Sequence, residues 1–426
     1  MNQEIKLKKS ITWVKGSALT IGAVLGSGIL VLPAIAAEIA GPASILSWLL
    51  MGIFSVPMVI SIGMMSSQFP NSGGMAAYSR QAFGPFWGRL TGLLILSAMP
   101  LGMPITALIG AHYLGSAFSW SSSSIHIAAA LLLILTVILN YKGVELSGKI
   151  QIVVISIILI ILIFTVVSSI PQVSFSVFYP FACNGWITIG QAMTPLFFAF
   201  MGWEMIGHLA EEFCNPLKDI PLSLGIGFLL INLLYFSIVF VTIGSCVYKT
   251  GNPTTAMINL IAYRWGNNAG MIVAFLGFII CYCTVHTYIA GFSRLVYAEA
   301  REGNFPASFG KLHPRYHSPH VALFSFIPLF IIILFLSYRF SWDLKALISV
   351  PSATFLMVYI ISMVAAAKVL TTKIGRASAC ISVFLSSIVF LFAGWFALYP
   401  LIIVAIGFYL KKKKGSAKSG PHEFLL

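Results

Sequence analysis

A run of glycines interrupts the first apolar stretch of the chain, and such a break can expose backbone groups to a ligand. Gly22, Gly26, Ser27 and Gly28 lie among the apolar residues 21–33. In hydrocarbon each unpaired peptide group is costly, so a helix break persists only where it lines a cavity or meets a ligand. A helix that restarts after the break presents free N–H groups to a carboxylate. Close packing of small residues is the competing interpretation, although the consecutive Gly-Ser-Gly triplet fits it poorly.

A second interruption is predicted in the sixth apolar segment, where Pro195, Gly202 and Glu204 lie in one run. Proline removes a backbone donor and glycine weakens a helix. A half-helix that stops at such a break leaves free carbonyl groups, which suit an ammonium. Two interrupted helices at corresponding positions in the two halves of a chain are typical of a transporter's binding site. Two antiparallel breaks can bind the zwitterionic head of an amino acid through backbone groups alone.

Three ionisable side chains lie within or beside apolar segments, where such groups are costly and usually functional. Glu204 is a carboxylate satisfied by the loosened backbone of the first span, which holds the break open, or a proton-coupling group, or a group that contacts the substrate directly. His208 follows four residues later on the same helix face, and His286 lies in the eighth apolar segment. Each histidine is either a hydrogen-bonded packing residue or a proton carrier, because an imidazole titrates near neutral pH.

The composition places these residues in a membrane. Of the 426 residues, 59% are hydrophobic and 8% are charged, whereas soluble proteins carry about a quarter charged residues. The start of the chain is polar and basic, and no cleavage site follows the first apolar stretch. We therefore expect that stretch to be a retained span and not a signal peptide. The six cysteines lack a paired motif, so we expect apolar fillers rather than disulfides or metal ligands.

The predicted fold class is an all-α polytopic membrane protein with twelve transmembrane helices. A span needs about 20 apolar residues. The segments that qualify are 12–38, 43–67, 85–118, 124–141, 150–169, 186–209, 222–248, 269–300, 320–337, 344–367, 377–393 and 395–410. The third and eighth exceed the required length, so we expect tilt or an extension beyond the bilayer. The last two are short, and we expect a turn near Gly394 between them.

These spans are predicted to form a single transporter domain over residues 1–410. Residues 12–169 hold spans 1–5 and residues 186–367 hold spans 6–10, which we expect to form a five-plus-five inverted repeat. In such a repeat, the discontinuous helices 1 and 6 take equivalent positions in the two halves. Residues 377–410 add two C-terminal helices.

Lysine and arginine residues predict the sidedness of the spans. With the N-terminus in the cytoplasm, 21 of the 25 basic residues fall on the cytoplasmic side, in agreement with the positive-inside rule. The cytoplasmic set is Lys6, Lys8, Lys9, Lys15, Arg80, Arg89, Lys142, Lys149, Lys218, Arg294, Arg301, Lys311, Arg315, Lys368, Lys373, Arg376, Lys411, Lys412, Lys413, Lys414 and Lys418, and the outer set is Lys249, Arg264, Arg339 and Lys345. Both termini are then cytoplasmic, and 411–426 is a basic tail. The net charge of +14 needs no nucleic-acid partner.

Three sequence blocks resemble the amino acid–polyamine–organocation (APC) superfamily of transporters, and the likeness covers most of the chain. The blocks are Gly26-Ser27-Gly28-Ile29; Phe69-Pro70-Asn71-Ser72-Gly73-Gly74 with Tyr78; and Phe198-Ala199-Phe200-Met201-Gly202-Trp203-Glu204, running on to Glu211-Glu212-Phe213-Cys214-Asn215-Pro216 and Asp219-Ile220-Pro221. Within the superfamily the chain is most similar to bacterial exporters of methionine and branched-chain amino acids.

The resemblance implies a substrate site at the two breaks and a role for each residue there. It implies that Gly26, Ser27 and Gly28 bind the substrate carboxylate. It implies that the amine donates to carbonyls near Ala23 and to those of Phe197, Phe198, Ala199 and Phe200. It also implies that Phe198 is an aromatic lid and that Met201 lines the side-chain pocket. The function implied is secondary active transport of amino acids by alternating access across the bacterial cytoplasmic membrane. Export is suggested by the subfamily, and import or exchange of small neutral substrates is the alternative.

The implied substrate is a neutral, apolar amino acid. Near the breaks the sequence has no acidic cluster beyond Glu204, which counts against polyamines and cationic amino acids. Met99, Pro100, Met103 and Pro104 in span three are expected to face lipid or neighbouring helices, or else to line an apolar pocket with Phe198 and Met201. The partners expected are the amino acid, the lipid bilayer and a candidate coupling proton, and the sequence leaves the oligomeric state open.

A channel, a membrane enzyme and an ATP-driven pump are disfavoured because the sequence lacks their motifs. Channels have repeated filter segments or rings of pore-lining charge. A membrane enzyme needs clustered His, Asp or Cys, and an ATP-driven pump needs a Walker motif. We therefore expect no enzymatic activity, no cofactor and no metal site.

Coupling is predicted to differ from that of several relatives, which carry a lysine in span five in place of a bound sodium ion. Here Lys149 lies at the cytoplasmic entrance, followed by Gln151 and an unbroken apolar run, so we expect no buried lysine. Proton coupling, sodium coupling and plain exchange stay open.

The polar segment after span six has two interpretations. In the first, Glu211, Glu212 and Lys218 belong to a solvated loop, Asp219 caps the next helix and Pro221 lies in its first turn. In the second, the same residues form a cytoplasmic gate with Arg80 and Arg89.

Overall fold

The chain is helical through most of the part that the structure describes. The computed structural model describes residues 7–249, 256–342 and 344–418, and gives only the backbone for 144–150, 263, 264, 267, 344–346, 410 and 412–418. The α-helices, numbered in chain order, are α1 Trp13–Leu25, α2 Gly28–Ala40, α3 Ser44–Gln68, α4 Met75–Phe83, α5 Pro85–Phe118, α6 Ser122–Tyr141, α7 Val144–Ser169, α8 Ile187–Phe197, α9 Met205–His208, α10 Pro216–Gly244, α11 Ala256–Trp265, α12 Asn267–Arg301, α13 His320–Phe340, α14 Leu344–Val369, α15 Lys373–Leu391 and α16 Leu398–Lys418.

The predicted spans correspond to helical segments. Within the described residues, nine segments are long and apolar enough to cross a membrane, and the first of them, Trp13–Gln68, covers the first two predicted spans. The twelfth predicted span corresponds to the shorter apolar helix Gly394–Tyr409, and the sixth corresponds to the broken segment 187–208. The protein is therefore an all-α polytopic membrane protein, as predicted.

Two long helices, α5 and α12, pack against each other near the centre of the bundle. They have 34 and 35 residues, which gives each a length of about 50 Å at 1.5 Å per residue. A hydrocarbon core is about 30 Å thick, so both exceed the length of a simple span, as predicted. α5 also packs against α14, and α1 packs against both α10 and α12. α12 therefore connects α5 to the first half of the interrupted span.

The outer faces of the bundle are apolar, as a lipid-facing surface requires. On α7, five large apolar side chains recur at helical spacing and are about half exposed or more, namely Ile157, Ile160, Ile163, Phe164 and Val167. On the opposite face of the same helix, Ile155, Ile158 and Leu162 are buried. A helix that is apolar on both faces can be stable at the boundary between protein and lipid, where neither face meets water.

The start of α10 differs from the predicted position because of capping interactions. α10 begins at Pro216, whereas the apolar run predicts a start at residue 222. Asp219 Oδ2 accepts a hydrogen bond from the N–H of the N-cap residue Asn215 (3.0 Å), four residues earlier. Asp219 therefore caps the helix from inside its first turn. Pro216 takes the first-turn position predicted for Pro221, which lies within the helix.

Two helices, α4 and α11, have no counterpart among the predicted spans. They have nine and ten residues and lie between spans, so they are too short to cross a bilayer. A search for long apolar runs cannot detect such helices. At the C-terminal end, the predicted turn is present, because Gly394 has φ +55° and starts a 3-10 turn between α15 and α16.

Some predicted features lie outside the described residues or extend beyond their predicted limits. α16 continues through the lysine cluster to Lys418, whereas the prediction ends the last span at residue 410. Residues 419–426 of the predicted tail lie outside the described part, as do Lys6 and the side chains of Lys149, Arg264, Lys345 and Lys412 to Lys418.

The cysteines divide by exposure. Cys281 and Cys283 are buried in α12, as apolar fillers should be. Cys183, Cys214 and Cys380 are exposed, so the filler interpretation is wrong for these three. The first two lie outside the helices and the third on an outer helix face, where packing does not require a small apolar residue.

Candidate functional site

The first span breaks between α1 and α2, at the predicted glycine triplet. Gly26 has φ +21° and ψ −166°, and α2 begins at Gly28. A Cβ atom on Gly26 would lie 3.0 Å from Thr284 Oγ1 of α12. A Cβ atom on Gly28 would lie 2.8 Å from the Cα atom of Ala199 in the second break. These glycines are required because the two broken segments and α12 approach one another closely at the triplet.

The sixth span breaks over a longer stretch. α8 ends at Phe197 and is followed by a single 3-10 turn over Phe198–Phe200. Met201 is then extended, with φ −80° and ψ 157°, and Gly202 has φ +119°. A Cβ atom on Gly202 would lie 2.9 Å from the carbonyl carbon of Ala23. The predicted breaks are therefore both present, and they contact each other.

The helix that resumes after the second break is short. α9 has four residues, whereas α2 has 13. The break in span six is therefore not followed by a positive helix end, because one helical turn does not build a macrodipole. Of the two helices that restart, α2 is the one whose N–H groups and dipole suit an anion.

The two breaks, together with α5, α12 and α14, enclose a small cavity of about 20 Å³. Six predicted site residues line it: Ala23, Gly26, Ser27, Gly28, Phe198 and Met201. The other lining residues are Val24; Ala98, Met99, Gly102, Met103 and Thr106 of α5; Thr284, Tyr288 and Phe292 of α12; and Pro351 and Phe355 of α14. This volume is about what one water molecule needs, so the site is nearly closed in this structure.

Three predicted site residues lie behind the cavity wall. Phe197 packs edge-on against Tyr359, with ring centroids 5.5 Å apart. Phe200 packs in the same way against Tyr235 at 5.3 Å. Ala199 packs against the first break. These side chains support the wall but, in this structure, do not line the cavity.

The α5 residues of the wall could have been found from their spacing. Ala98, Met99, Gly102, Met103 and Thr106 recur at intervals of three and four, which places them on one helix face. Sequence reasoning identified the two methionines as candidates but not which face was turned inward. The contributions of α12 and α14 carry no comparable signal.

Most hydroxyl groups at the cavity are engaged within the protein. Thr106 Oγ1 donates to the carbonyl of Gly102, and Thr284 Oγ1 donates to that of Gly22, both at 2.9 Å. Ser27 Oγ is different, because it is buried and has no hydrogen-bond partner among the described residues. A buried hydroxyl without a partner is costly, so this oxygen is available for a ligand at the first break.

A single tyrosine ties the two breaks together. The hydroxyl of Tyr235 in α10 lies 2.6 Å from the carbonyl oxygen of Val24 and 2.8 Å from that of Ala199. One carbonyl belongs to each broken span. Ala199 was among the carbonyls expected to accept from a substrate amine, but Tyr235 already donates to it. The carbonyls of Ala23 and Phe198 are the candidates that border the cavity.

Glu204 is buried directly behind the second break. Its Oε2 accepts from the N–H of Gly202 (2.8 Å) and from the hydroxyl of Tyr359 (2.5 Å). Its Oε1 accepts from the hydroxyl of Tyr288, at 3.4 Å. The backbone that satisfies it is therefore that of span six and not, as expected, that of span one. The carboxylate joins the break to α12 and α14 through the two tyrosines.

Neither predicted histidine lines the cavity. His208 Nδ1 lies 3.1 Å from the carbonyl oxygen of Ser72, and its ring packs against Gly74, where a Cβ atom would lie 2.6 Å away. His286 Nδ1 lies 3.1 Å from Asn140 Nδ2 of α6. Both rings are fully or almost fully buried in helix contacts, which favours the packing interpretation. Ser72 and Gly74 of the second sequence block thus pack around the ring of His208.

An amide group lies between α1, α7 and α12. Gln151 is buried, its Nε2 donates to Thr287 Oγ1 at 2.8 Å, and it contacts Gly22 of α1. A Cβ atom on Gly22 would lie 2.1 Å from this nitrogen, so Gly22 too is explained by a side-chain contact. Gln151, the described residue of α7 that contacts Gly22 of span one, is therefore a neutral group.

A buried ion pair closes the end of the bundle that holds the N-terminus. Glu212 Oε1 lies 2.8 Å from Arg294 Nε, and both side chains are at least 95% buried. The backbone N–H groups of Ser10 and Ile11 donate to the carbonyl of Glu212, at 2.9 Å each, and Cys214 N–H donates to that of Ile11. The chain before α1 is thus held against the chain after α9.

The charged groups beside this pair are connected differently from the predicted gate. Glu211 accepts from the N–H and hydroxyl of Ser72, at 2.8 and 2.9 Å. Arg80 pairs with Glu299 at 2.6 Å and with Glu302 at 3.1 Å. Arg80 therefore binds α12 and not the segment after span six, so that part of the gate prediction is wrong.

The sequence model of the amino acid permease family matches residues 11–410. The chain belongs to this family. It is 38% identical to the uncharacterized amino acid permease YecA of Bacillus subtilis, over 97% of this chain and 98% of the relative. It is 29% identical to the L-methionine/branched-chain amino acid exporter YjeH of Escherichia coli, over 97% and 99%. The glutamate/serine transporter AimA of Bacillus subtilis is 28% identical over 74% of this chain and 64% of the relative.

Membership of the permease family confirms the resemblance to the APC superfamily. The protein is a multi-pass membrane transporter of amino acids and not an enzyme. Its relatives differ in the substrates that their names give, so the family alone does not specify the amino acid.

Proposed function

We propose that this permease is a secondary active transporter of neutral, apolar amino acids, of the size of valine, leucine, isoleucine and methionine. The observation that carries the proposal is the cavity at the contact between the two breaks, where backbone groups and apolar side chains meet. Transport would proceed by alternating access in the bacterial cytoplasmic membrane, with both termini in the cytoplasm. The positive-inside pattern supports this orientation.

The first break suits the substrate carboxylate. α2 starts at Gly28, so its first N–H groups have no partner within the helix and carry the positive end of its dipole. The unpartnered hydroxyl of Ser27 lies beside them. The glycines on either side leave room for a ligand oxygen to approach the backbone. An anion at this point would satisfy donors that are otherwise buried and unused.

The ammonium group of the substrate would lie against the carbonyls of Ala23 and Phe198. Both residues line the cavity where a helix ends, and helix ends leave carbonyls without intrahelical partners. An α-amino acid carries its two charged groups on neighbouring atoms. The two breaks are in direct contact, so donors and acceptors lie close enough for that spacing.

The rest of the cavity favours an apolar side chain. Met99, Met103, Met201 and Phe355 line it, and no Asp, Glu, Lys or Arg belongs to its described lining. A cationic side chain or a polyamine would leave a buried charge without a partner, which is strongly unfavourable. Methionine side chains adapt to ligands of different shape. This supports a class of similar apolar substrates rather than one.

Export is the proposed direction, and its support is the similarity to an exporter of methionine and branched-chain amino acids. The five-plus-five inverted repeat is part of the proposal and is supported by the two breaks in spans one and six. Proton coupling is the proposed driving mechanism, with the amino acid and a proton moving in opposite directions.

The test is transport by the purified permease in proteoliposomes. Leucine, methionine, alanine, arginine and putrescine are each loaded inside, and efflux is measured with and without an inward proton gradient. We expect leucine and methionine efflux that the gradient accelerates, with arginine and putrescine at background. Strong arginine or putrescine efflux without leucine or methionine efflux would overturn the substrate class. Rates that do not respond to the gradient would overturn proton coupling alone.

A further inference from the structure

One glycine at the cavity has no structural reason to be glycine. Gly26 and Gly28 are required by close contacts within the breaks. Gly102 lies inside helix α5, between Pro100 and Pro104, and a Cβ atom there would meet only Pro351, at 3.9 and 4.0 Å, which is ordinary van der Waals contact. Glycine in a helix interior is less favourable than alanine. A glycine with room for a methyl group therefore points to a functional need for the empty space.

That space is bounded by two groups that cannot adjust their shape. On one side is the backbone of α5, held in place by the hydrogen bond from Thr106 Oγ1 to the Gly102 carbonyl. On the other is the rigid ring of Pro351 in α14. Met99 and Met103 flank Gly102 and can change rotamer to fit a ligand. The distance between Gly102 and Pro351 is thus the fixed dimension of an otherwise adaptable wall.

We infer that Gly102 sets the upper size of the substrate side chain and so determines specificity within the apolar class. The inference rests on the proposed function. A hydrogen atom at this position leaves a gap of about one methyl group between α5 and α14, into which the end of a leucine or methionine side chain could extend. A methyl group would project into the same space and would compete with the end of a long side chain, but not with the methyl group of alanine.

The test compares Gly102→Ala with the wild type in proteoliposomes, with alanine, leucine and methionine as substrates. We expect kcat/KM for leucine and methionine to fall roughly tenfold relative to that for alanine, because one methylene in an apolar pocket is worth about 10- to 200-fold. Gly102→Val should lower the same ratios further. Gly225→Ala is the matched control, since a Cβ atom there meets no atom within 4 Å, and it should leave the ratios unchanged.

Two outcomes would overturn the inference: an unchanged leucine-to-alanine ratio in Gly102→Ala, or equal losses for all three substrates. A ratio measured on one preparation does not depend on the amount of folded protein, so partial misfolding leaves the test valid. Gly102→Ser, of similar volume, replaces the alanine variant if that protein is not recovered. The proposed function fails separately, when the wild type moves none of the three amino acids.

Discussion

The two helix breaks meet at one cavity, but they are built in opposite ways. The break in span one is short and is followed by the 13-residue helix α2, so it offers N–H groups and a dipole. The break in span six extends from Phe198 to Glu204 and is followed by a single turn, so it offers carbonyls, Phe198 and Met201. The short break suits recognition of a charged group, and the long break suits recognition of the shape of a ligand.

The breaks also differ in what holds them open. In span one, glycines at close contacts do so, because Cβ atoms would collide with α12 and with the other break. In span six, the carboxylate of Glu204 and the hydroxyl of Tyr235 form hydrogen bonds with backbone groups that would be paired within a continuous helix. The first break therefore depends mainly on the absence of side chains, whereas the second depends on Gly202 and also on side chains that pair with its backbone.

This difference predicts the largest effect for a side chain added to the first break. Gly28→Val places a Cβ atom 2.8 Å from Ala199 Cα and forces the breaks apart. Overpacking of this kind costs up to about 3 kcal/mol, or roughly a hundredfold in affinity. Substrate binding to the purified protein, measured by equilibrium dialysis with labelled methionine, should fall by that amount.

Two further variants show whether this loss is specific. Gly225→Val makes the same change on an exposed face of α10 and should leave binding intact. Ser27→Ala removes one hydroxyl but keeps the N–H groups, so it should weaken binding by about fivefold, in line with roughly 1 kcal/mol for one hydrogen bond. Wild-type affinity in a correctly inserted Gly28→Val protein would refute the assignment of the first break.

The second break predicts an intermediate effect for loss of its carboxylate. Glu204→Gln replaces an acceptor of three hydrogen bonds with an amide that can accept at only one atom. Hydrogen bonds to charged groups are worth about 1.5–3 kcal/mol each, so we expect the transport rate to fall roughly tenfold or more. Because the carboxylate is bound on both oxygens as a structural anchor, the shape of the pH profile should stay the same.

The pH profile distinguishes an anchor from a proton carrier. Tyr359→Phe removes a donor to the same carboxylate and should lower the rate without altering the pH dependence. Should Glu204→Gln instead flatten the profile while Tyr359→Phe leaves it unchanged, Glu204 carries the coupling proton and the anchor interpretation is wrong.

The smallest effect is predicted for the link between the breaks. Tyr235→Phe leaves the carbonyls of Val24 and Ala199 without their donor, whereas Tyr113→Phe removes a bond of 2.7 Å to the carbonyl of Leu30 in the first turn of α2, which does not join the two breaks. Both tyrosines are buried, so both variants should lose similar thermal stability. Only Tyr235→Phe should raise the KM for substrate, by a few-fold, for a loss of about 1 kcal/mol.

The pair of tyrosine variants therefore separates positioning from stability. Melting temperature and KM are measured on the same preparations. Equal changes in KM for both variants would show that Tyr235 has no special role in aligning the breaks.

Local sequence features were enough to locate the breaks and the spans. The Gly26-Ser27-Gly28 triplet and the sequence from Pro195 to Glu204 are unusual in an apolar run, and bilayer thickness makes span length predictable. The ends of α10 and the presence of α4 were missed, because capping and short helices depend on a few polar residues that hydropathy averages out.

The residues that complete the site could not be predicted, for a geometric reason. Thr284, Tyr288, Pro351 and Phe355 reach the cavity because α12 and α14 are rotated to face it. That rotation is decided by the packing of whole helices and not by any local pattern. The same holds for Glu212 and Arg294, whose pairing joins segments 82 residues apart.

Composition and pattern alone establish a polytopic membrane protein with two interrupted helices. An unpaired backbone group is costly in hydrocarbon, so each break indicates a functional role. They also establish the three blocks that place the chain among amino acid permeases. Tertiary packing decided the rest: that the breaks touch, that Tyr235 and Glu204 already use some of the freed backbone groups, and that Gly102 faces Pro351 across the cavity. Such contacts arise between residues far apart in the chain, and a one-dimensional pattern contains no information about which helix faces meet.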